Sequence, residues 1–306
     1  MKNVQIYPSK KLVFPNDCFS KRLFNLTDED YHQAIEERKV LEVCEKRNHN
    51  KFGNIFSPFR IRIDDFNDFT LSEPLDQFHF AVLCACISEM YAKNSYSTDS
   101  ILFRAVSGKV GKGDAEPSKD QRVAINDAID KLMRTQIAIN MADTCKNLKY
   151  NNGNAYKIIS SLLPCERVTE TTVNGKETTV IYFDRVSPLW EIAFDVKGGQ
   201  ILSCDAELLN VPHQQNTRMN IAVKIYVLRR VLEILAHPKQ MVPVITFADV
   251  FQKCRLDNAS RKKKMDVRET ILILFDYLQT QGLIDAPQLN KKGARPYSVS
   301  FSRPKK

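Results

Sequence analysis

The run from Ser260 to Thr280 has few conformations open to it besides a helix. It holds neither glycine nor proline. Met265, Ile271, Leu272, Phe275 and Leu278 recur at the spacing of one helical face. Ser260 stands where a hydroxyl can accept an orphaned backbone N–H, which predicts an N-cap. The first turn instead carries Arg261, Lys262, Lys263 and Lys264. A helix dipole favours anions at that end, so these cations raise the local energy. A bound polyanion would remove that cost.

The elements around this helix predict a fold. Leu283-Ile284 and Tyr297 to Phe301 can pair behind it as a hairpin, with the basic turn Asn290–Pro296 at its tip. Ahead of it, a long amphipathic helix runs from about Asn216 to Ala236 and is closed by Pro238. A short helix follows, Phe247–Cys254, capped by Thr246. The same order stands earlier in the chain. A helix from Leu75 to about Lys93 carries Phe78, Val82, Leu83, Ala85, Ile87 and Met90 on its apolar positions. A short helix Thr98–Val106 is capped by Ser97 or Thr98. After the loop Gly108–Pro117, a third helix Ser118–Arg134 places Ile125, Ala128, Ile129, Leu132 and Met133 on one face. Gln136–Met141 reads as a strand. Val173-Asn174-Gly175-Lys176 then sits between β-branched runs, a strong hairpin signal.

Two helices, a third helix and a hairpin make the winged-helix plan. The expected fold class is therefore α+β, mainly helical, with two tandem winged-helix domains bearing β-hairpin wings. The first spans 75–200 and the second 201–306, joined through a short helix Pro188–Lys197, Gly198-Gly199 and the segment Leu208–Pro212. Residues 1–74 form an N-terminal extension, in which Thr27 caps a helix to about Arg47 and Ile55–Ile63 is extended. The repetition is one of element order and not of residue identity.

Charge separates the two halves. Of 45 Lys+Arg and 36 Asp+Glu in 306 residues, His213–Lys306 holds 18 and 7, a surplus of 11. The remaining residues hold 27 and 29, a deficit of 2. A basic segment joined to a near-neutral one predicts a polyanionic partner, double-stranded DNA in the first place. In a winged helix the third helix enters the major groove and the wing reaches a neighbouring groove or phosphate. The candidate DNA-binding residues of the second half are Arg261, Lys262, Lys263, Lys264, Arg268 and Thr270 on the helix, with Lys291, Lys292 and Arg295 on the wing. Lys262, Lys263 and Asp266 project away from Phe275. In the first half the corresponding candidates are Lys119, Arg122 and Asn126, but Asp127 and Asp130 on the same helix would repel phosphates.

Other chemistries find little support. The five histidines show no HxH, HxxxH or HExxH spacing, and no carboxylates are spaced for a metal-dependent nuclease. His79, between Phe78 and Phe80, reads as a helix-face histidine. The loop Gly108-Lys109-Val110-Gly111-Lys112-Gly113 fails the GxxxxGK[ST] spacing and follows a helix instead of a strand. The eight cysteines form no CxxC pair and sit mostly in apolar runs, as buried, inert thiols do. No catalytic residue, metal site or cofactor is expected. No apolar run approaches the ~18 residues of a membrane span and no secretory signal is visible, so a cytoplasmic protein without a membrane partner is expected.

The size, the doubled order and the junction Asp205-Ala206-Glu207-Leu208-Leu209-Asn210-Val211-Pro212, followed by a helix with Tyr226, Leu228, Arg229 and Arg230, carry a family resemblance. Over roughly residues 75–301 the chain resembles plasmid replication initiators built from two winged-helix domains, the iteron-binding type. The resemblance implies binding to repeated origin sites, opening of an adjacent A/T-rich segment and recruitment of the host helicase machinery in a bacterial cytoplasm. It also implies homodimers, formed largely through the N-terminal domain, that repress the initiator's own promoter. By position, Ser260–Gln281 corresponds to the family's major-groove reader in the second domain, and Ser118–Arg134 to the third helix of the first. A transcriptional regulator of a mobile element would use the same surface. A protein-interaction module would keep the fold but show little salt dependence.

Overall fold

The computed structural model describes residues 8–25, 41–44, 58–63, 75–111, 113–140, 157–171, 177–196 and 199–304. The chain is a mixed α+β protein. Its N-terminal segment contributes β1 (Lys11–Pro15), α1 (Cys18–Leu23), β2 (Leu41–Cys44) and β3 (Pro58–Ile63). The helix expected from Thr27 to Arg47 lies mostly outside the described residues. Where it is described, at Leu41–Cys44, the chain is a strand paired antiparallel with Pro58–Ile63. Ladder hydrogen bonds to a partner distant in sequence outweigh local helix preference there.

The next segment folds as α2 (Gln77–Tyr91), β4 (Tyr96–Thr98), α3 (Asp99–Ser107), α4 (Lys119–Arg134), β5 (Thr135–Asn140), β6 (Lys157–Ser161), β7 (Cys165–Thr171) and β8 (Glu177–Phe183). Polar caps fix the helix starts. The Asp76 carboxylate accepts from the backbone N–H groups of Phe78 and His79, and the Asp76 backbone N–H donates to His79 Nδ1 at 3.1 Å, which closes a capping box. Thr98 caps α3, and Ser118 with Gln121 forms a second capping box on α4. Residues Gln77 to Glu89 of α2 are all buried, so this helix lies inside the molecule instead of on its surface. His79 is thus a capping side chain, and burial holds its imidazole below the ordinary range.

A short helix α5 (Pro188–Glu191) continues as a wider π turn, Ile192–Val196. Then come β9 (Ile201–Asp205) and a 3₁₀ turn, Ala206–Leu209. The last segment folds as α6 (Arg218–Ala236), β10 (Val244–Thr246), α7 (Phe247–Lys253), α8 (Arg261–Thr280), β11 (Asp285–Lys292) and β12 (Arg295–Ser302). Its sheet order is β10-β12-β11, and that of the earlier segment is β4-β8-β7. In both, a short strand behind the first helix pairs with the second strand of the hairpin. The first segment differs by an insertion: β5 and β6 leave it to join β2 and β3 in a four-stranded antiparallel sheet.

The second hairpin is longer than expected. Its strands reach Lys292 and Arg295, which pair with each other, so most of the basic residues assigned to a loop stand on the strands. Gly293, at φ 63°, supplies the left-handed conformation that a two-residue turn needs.

The two segments share one core. Helix α2 packs on α6, and the Arg229 guanidinium of α6 lies 4.6 Å from the centre of the Phe80 ring of α2. The residues between the segments are tightly held. Strand β1 pairs with β9, from Lys11↔Asp205 to Pro15↔Ile201. Gly108 ends α3 at φ 77°, and a Cβ there would stand 2.4 Å from the Asn210 nitrogen and 2.7 Å from the Ala206 oxygen. Lys224, fully buried on α6, donates to the Leu209 carbonyl and the Asn216 amide oxygen, each at 2.7 Å. Its burial, with Lys109 adding repulsion, lowers its pKa to about 7. Among the described cysteines, Cys84, Cys86, Cys165 and Cys204 are buried free thiols, and burial pushes each thiol pKa up.

Candidate nucleic-acid interface

Helix α8 starts at Ser260, whose hydroxyl accepts from the Lys263 backbone N–H. Its buried stripe is Val267, Thr270, Ile271, Leu274, Phe275 and Leu278. Phe275 packs on Phe301 of β12 at 5.6 Å between ring centres, which fixes the helix against the hairpin. Met265, expected in that stripe, is 55% exposed. At ~100° per residue it falls ~150° from the middle of the buried side.

The leading turn divides by direction. Arg261, Lys262 and Lys263 are exposed. None of them makes a side-chain hydrogen bond or ion pair with another described residue. Lys264 turns back, donates to the Asp257 carbonyl and sits 5.8 Å from the centre of the Phe251 ring. Arg268 is folded inward, 5.3 Å from the Phe251 ring centre and 5.7 Å from that of Phe247. Its Nε is buried without a partner. Stacking on α7 therefore takes Arg268 out of the exposed face. Thr270 also needs correction as a contact residue: it is 8% exposed and lies within the buried stripe, between Val267 and Ile271. Its carbonyl accepts from the Gln214 side chain at 2.9 Å. Lys291, Lys292 and Arg295 are exposed at the hairpin end.

Helix α4 presents a different surface. Lys119 is exposed at its start. The Arg122 guanidinium donates to the Glu177 carbonyl at 3.1 Å, which ties the helix to its own hairpin. Asn126 donates to the Asp99 carboxylate at 3.2 Å. Asp130, expected as a bare repulsive charge, pairs with Arg167 of β7 at 2.6 Å. Arg122 and Asn126 are therefore engaged within the fold, whereas Lys119, Asp120 and Asp127 are exposed, so the helix presents one free cation against two free carboxylates among its described neighbours.

The contacts of Arg167, Lys224 and Arg229 are not among those the sequence predicts. Arg167 lies in an alternating strand where nothing marks its partner. The other two are charged residues inside an apolar helix, which is the one visible hint of a buried polar contact.

No protein-family model matches the chain, and no curated protein matches it in sequence. Among solved structures, the chain is similar to a crystal structure of domains 2 and 3 of RctB as a selenomethionine derivative. The identity is 11%, covering 87% of this chain and 92% of that one, with a TM-score of 0.38. A second crystal structure of RctB domains 2–3 is 10% identical, covering 86% and 91%, with a TM-score of 0.39. Among the described residues, no helix is long and apolar enough to cross a membrane.

Proposed function

We propose that this chain is a sequence-specific double-stranded DNA-binding protein that acts by binding and not by catalysis. Its two segments are read as winged helices, 75–200 and 201–306, with the second as the main DNA reader. Helix α8 enters the major groove with Arg261, Lys262 and Lys263 at the phosphates, while Lys291, Lys292 and Arg295 reach the adjacent backbone. The observation that carries this reading is the set of uncommitted cations at the start of α8, beside an equally basic hairpin end. That arrangement raises the energy of the free protein and is relieved by a polyanion. The biological role that fits the doubled layout and the Asp205–Pro212 junction is replication initiation on a plasmid or mobile element in a bacterial cytoplasm. In that role the protein binds repeated origin sites, dimerises through its first half and engages the host helicase.

Selection of bound duplexes from a random library tests the reading. The expected result is a motif that recurs as repeats beside an A/T-rich segment. The selected duplex should lose on the order of 10³–10⁵ in affinity between 50 and 200 mM salt, as for ~6–10 phosphate contacts. Failure to enrich any motif, together with salt-insensitive binding, would overturn it.

A further inference from the structure

The outer side of α8 carries chemistry that phosphate binding does not call for. At ~100° per residue, Lys262, Met265, Asp266 and Glu269 share one face, opposite Val267, Ile271 and Leu274 of the buried stripe. All four are exposed, Met265 at 55%. Arg261 and Lys263 flank this face, one on each side. Met265 leaves more than half of its apolar surface in water and lies outside the buried stripe. Asp266 and Glu269 make no side-chain hydrogen bond or ion pair with another described residue. Lys262 stands one turn before Asp266, yet the two are not bonded. Free carboxylates on a face turned to DNA disfavour every nonspecific complex, because they approach phosphates without compensation. The same carboxylates are acceptors for amino groups displayed in the major groove, and a methionine suits the one methyl group displayed there.

We propose that this face is the base-reading surface of the protein. Met265 packs on the 5-methyl group of thymine. Asp266 and Glu269 accept hydrogen bonds from exocyclic amino groups on the major-groove edges of cytosine or adenine. Lys262, at the leading end of the face, holds a phosphate together with the flanking Arg261 and Lys263. The acidic groups then serve specificity by making wrong sequences unfavourable, and the cations supply the affinity. This assignment rests on the DNA-binding function proposed above and specifies which base chemistry that site takes.

The test uses the full chain and its Met265→Ala, Asp266→Ala and Glu269→Ala variants, each selecting from the same random duplex library. Each carboxylate variant should relax the preference at one cytosine or adenine column and bind random duplex more tightly than the wild type. Which base the wild type shows in that column decides between the two amino groups. In the wild-type duplex, deoxyuridine in place of one thymine should weaken binding roughly fourfold, the effect of one buried methyl group. Met265→Ala should be insensitive to that replacement, and Met265→Leu should regain the sensitivity. All three side chains are exposed, so their removal leaves the buried stripe intact. If the wild type enriches a motif and every variant selects it unchanged, the base-reading assignment falls and DNA binding stands. If the wild type enriches no motif, both fall.

Discussion

Helices α4 and α8 occupy the same place in two segments with the same element order, and they treat their charges in opposite ways. In α4 the hairpin behind the helix engages two of the charged side chains. Arg122 is bonded to the Glu177 carbonyl, and Asp130 is paired with Arg167. In α8 the hairpin contributes Phe301 to the core and leaves the leading cations alone. One layout can therefore close its third helix or leave it open. Which occurs depends on whether the neighbouring strands carry groups that answer the helix charges. The open copy is the one suited to an external polyanion.

Joint replacement of Arg261, Lys262 and Lys263 by alanine should lower affinity for a selected duplex by about 10²-fold at ~0.1 M salt, since each lost phosphate contact removes close to one unit of salt slope. Lys119→Ala with Arg122→Ala should change it by less than about threefold. Filter binding or fluorescence anisotropy at fixed salt separates the two results.

The joint between the segments is the next target. The unfolded chain keeps the Lys224 proton up to its ordinary value of 10.5, while the folded chain releases it near about 7. Between these values the unfolded state binds more protons, so stability rises with pH. Below that window both states are protonated and the slope vanishes. The stability of the wild type relative to Lys224→Met should therefore increase by on the order of 1 kcal/mol per pH unit above pH 7, read by denaturant unfolding. Gly108→Ala should cost roughly 2 kcal/mol or more, because the residue is left-handed and the added Cβ meets backbone of the 3₁₀ turn. Its unfolding midpoint should fall accordingly.

The smallest effect is expected at Arg167→Ala. The pair with Asp130 is about one-third exposed, so its loss should cost less than ~1 kcal/mol. DNA affinity should stay the same if α4 is closed, and should fall if the freed Asp130 faces phosphate.

Local signals in the sequence were legible where they were strong. Thr98, Thr246 and Ser260 stand as the caps their residue types predict. The Asn174-Gly175 signal is flanked by the paired strands β7 and β8. What depended on distant partners was not legible. Leu41–Cys44 became a strand because Pro58–Ile63 lies beside it. The pairing of β1 with β9 joins residues nearly 200 apart in sequence and has no local signature. At the candidate site, the cationic leading turn was readable from residue types alone. The inward fate of Arg268 was not, since it depends on Phe247 and Phe251 arriving from α7. Residue type misleads at two positions of α8: apolar Met265 falls outside the 267/271/274 row, and polar Thr270 falls within the buried side.

Whether α8 is the phosphate-binding helix is decided by the salt dependence of binding to one selected duplex, measured for the wild type and for the two charge-removal variants of α4 and α8. In the wild type, log affinity should decline steeply and linearly with log salt. The slope should be shallower by about 2–3 when the α8 cations are removed, and unchanged when the α4 cations are removed. Equal slopes for the wild type and the α8 variant would contradict that role of α8.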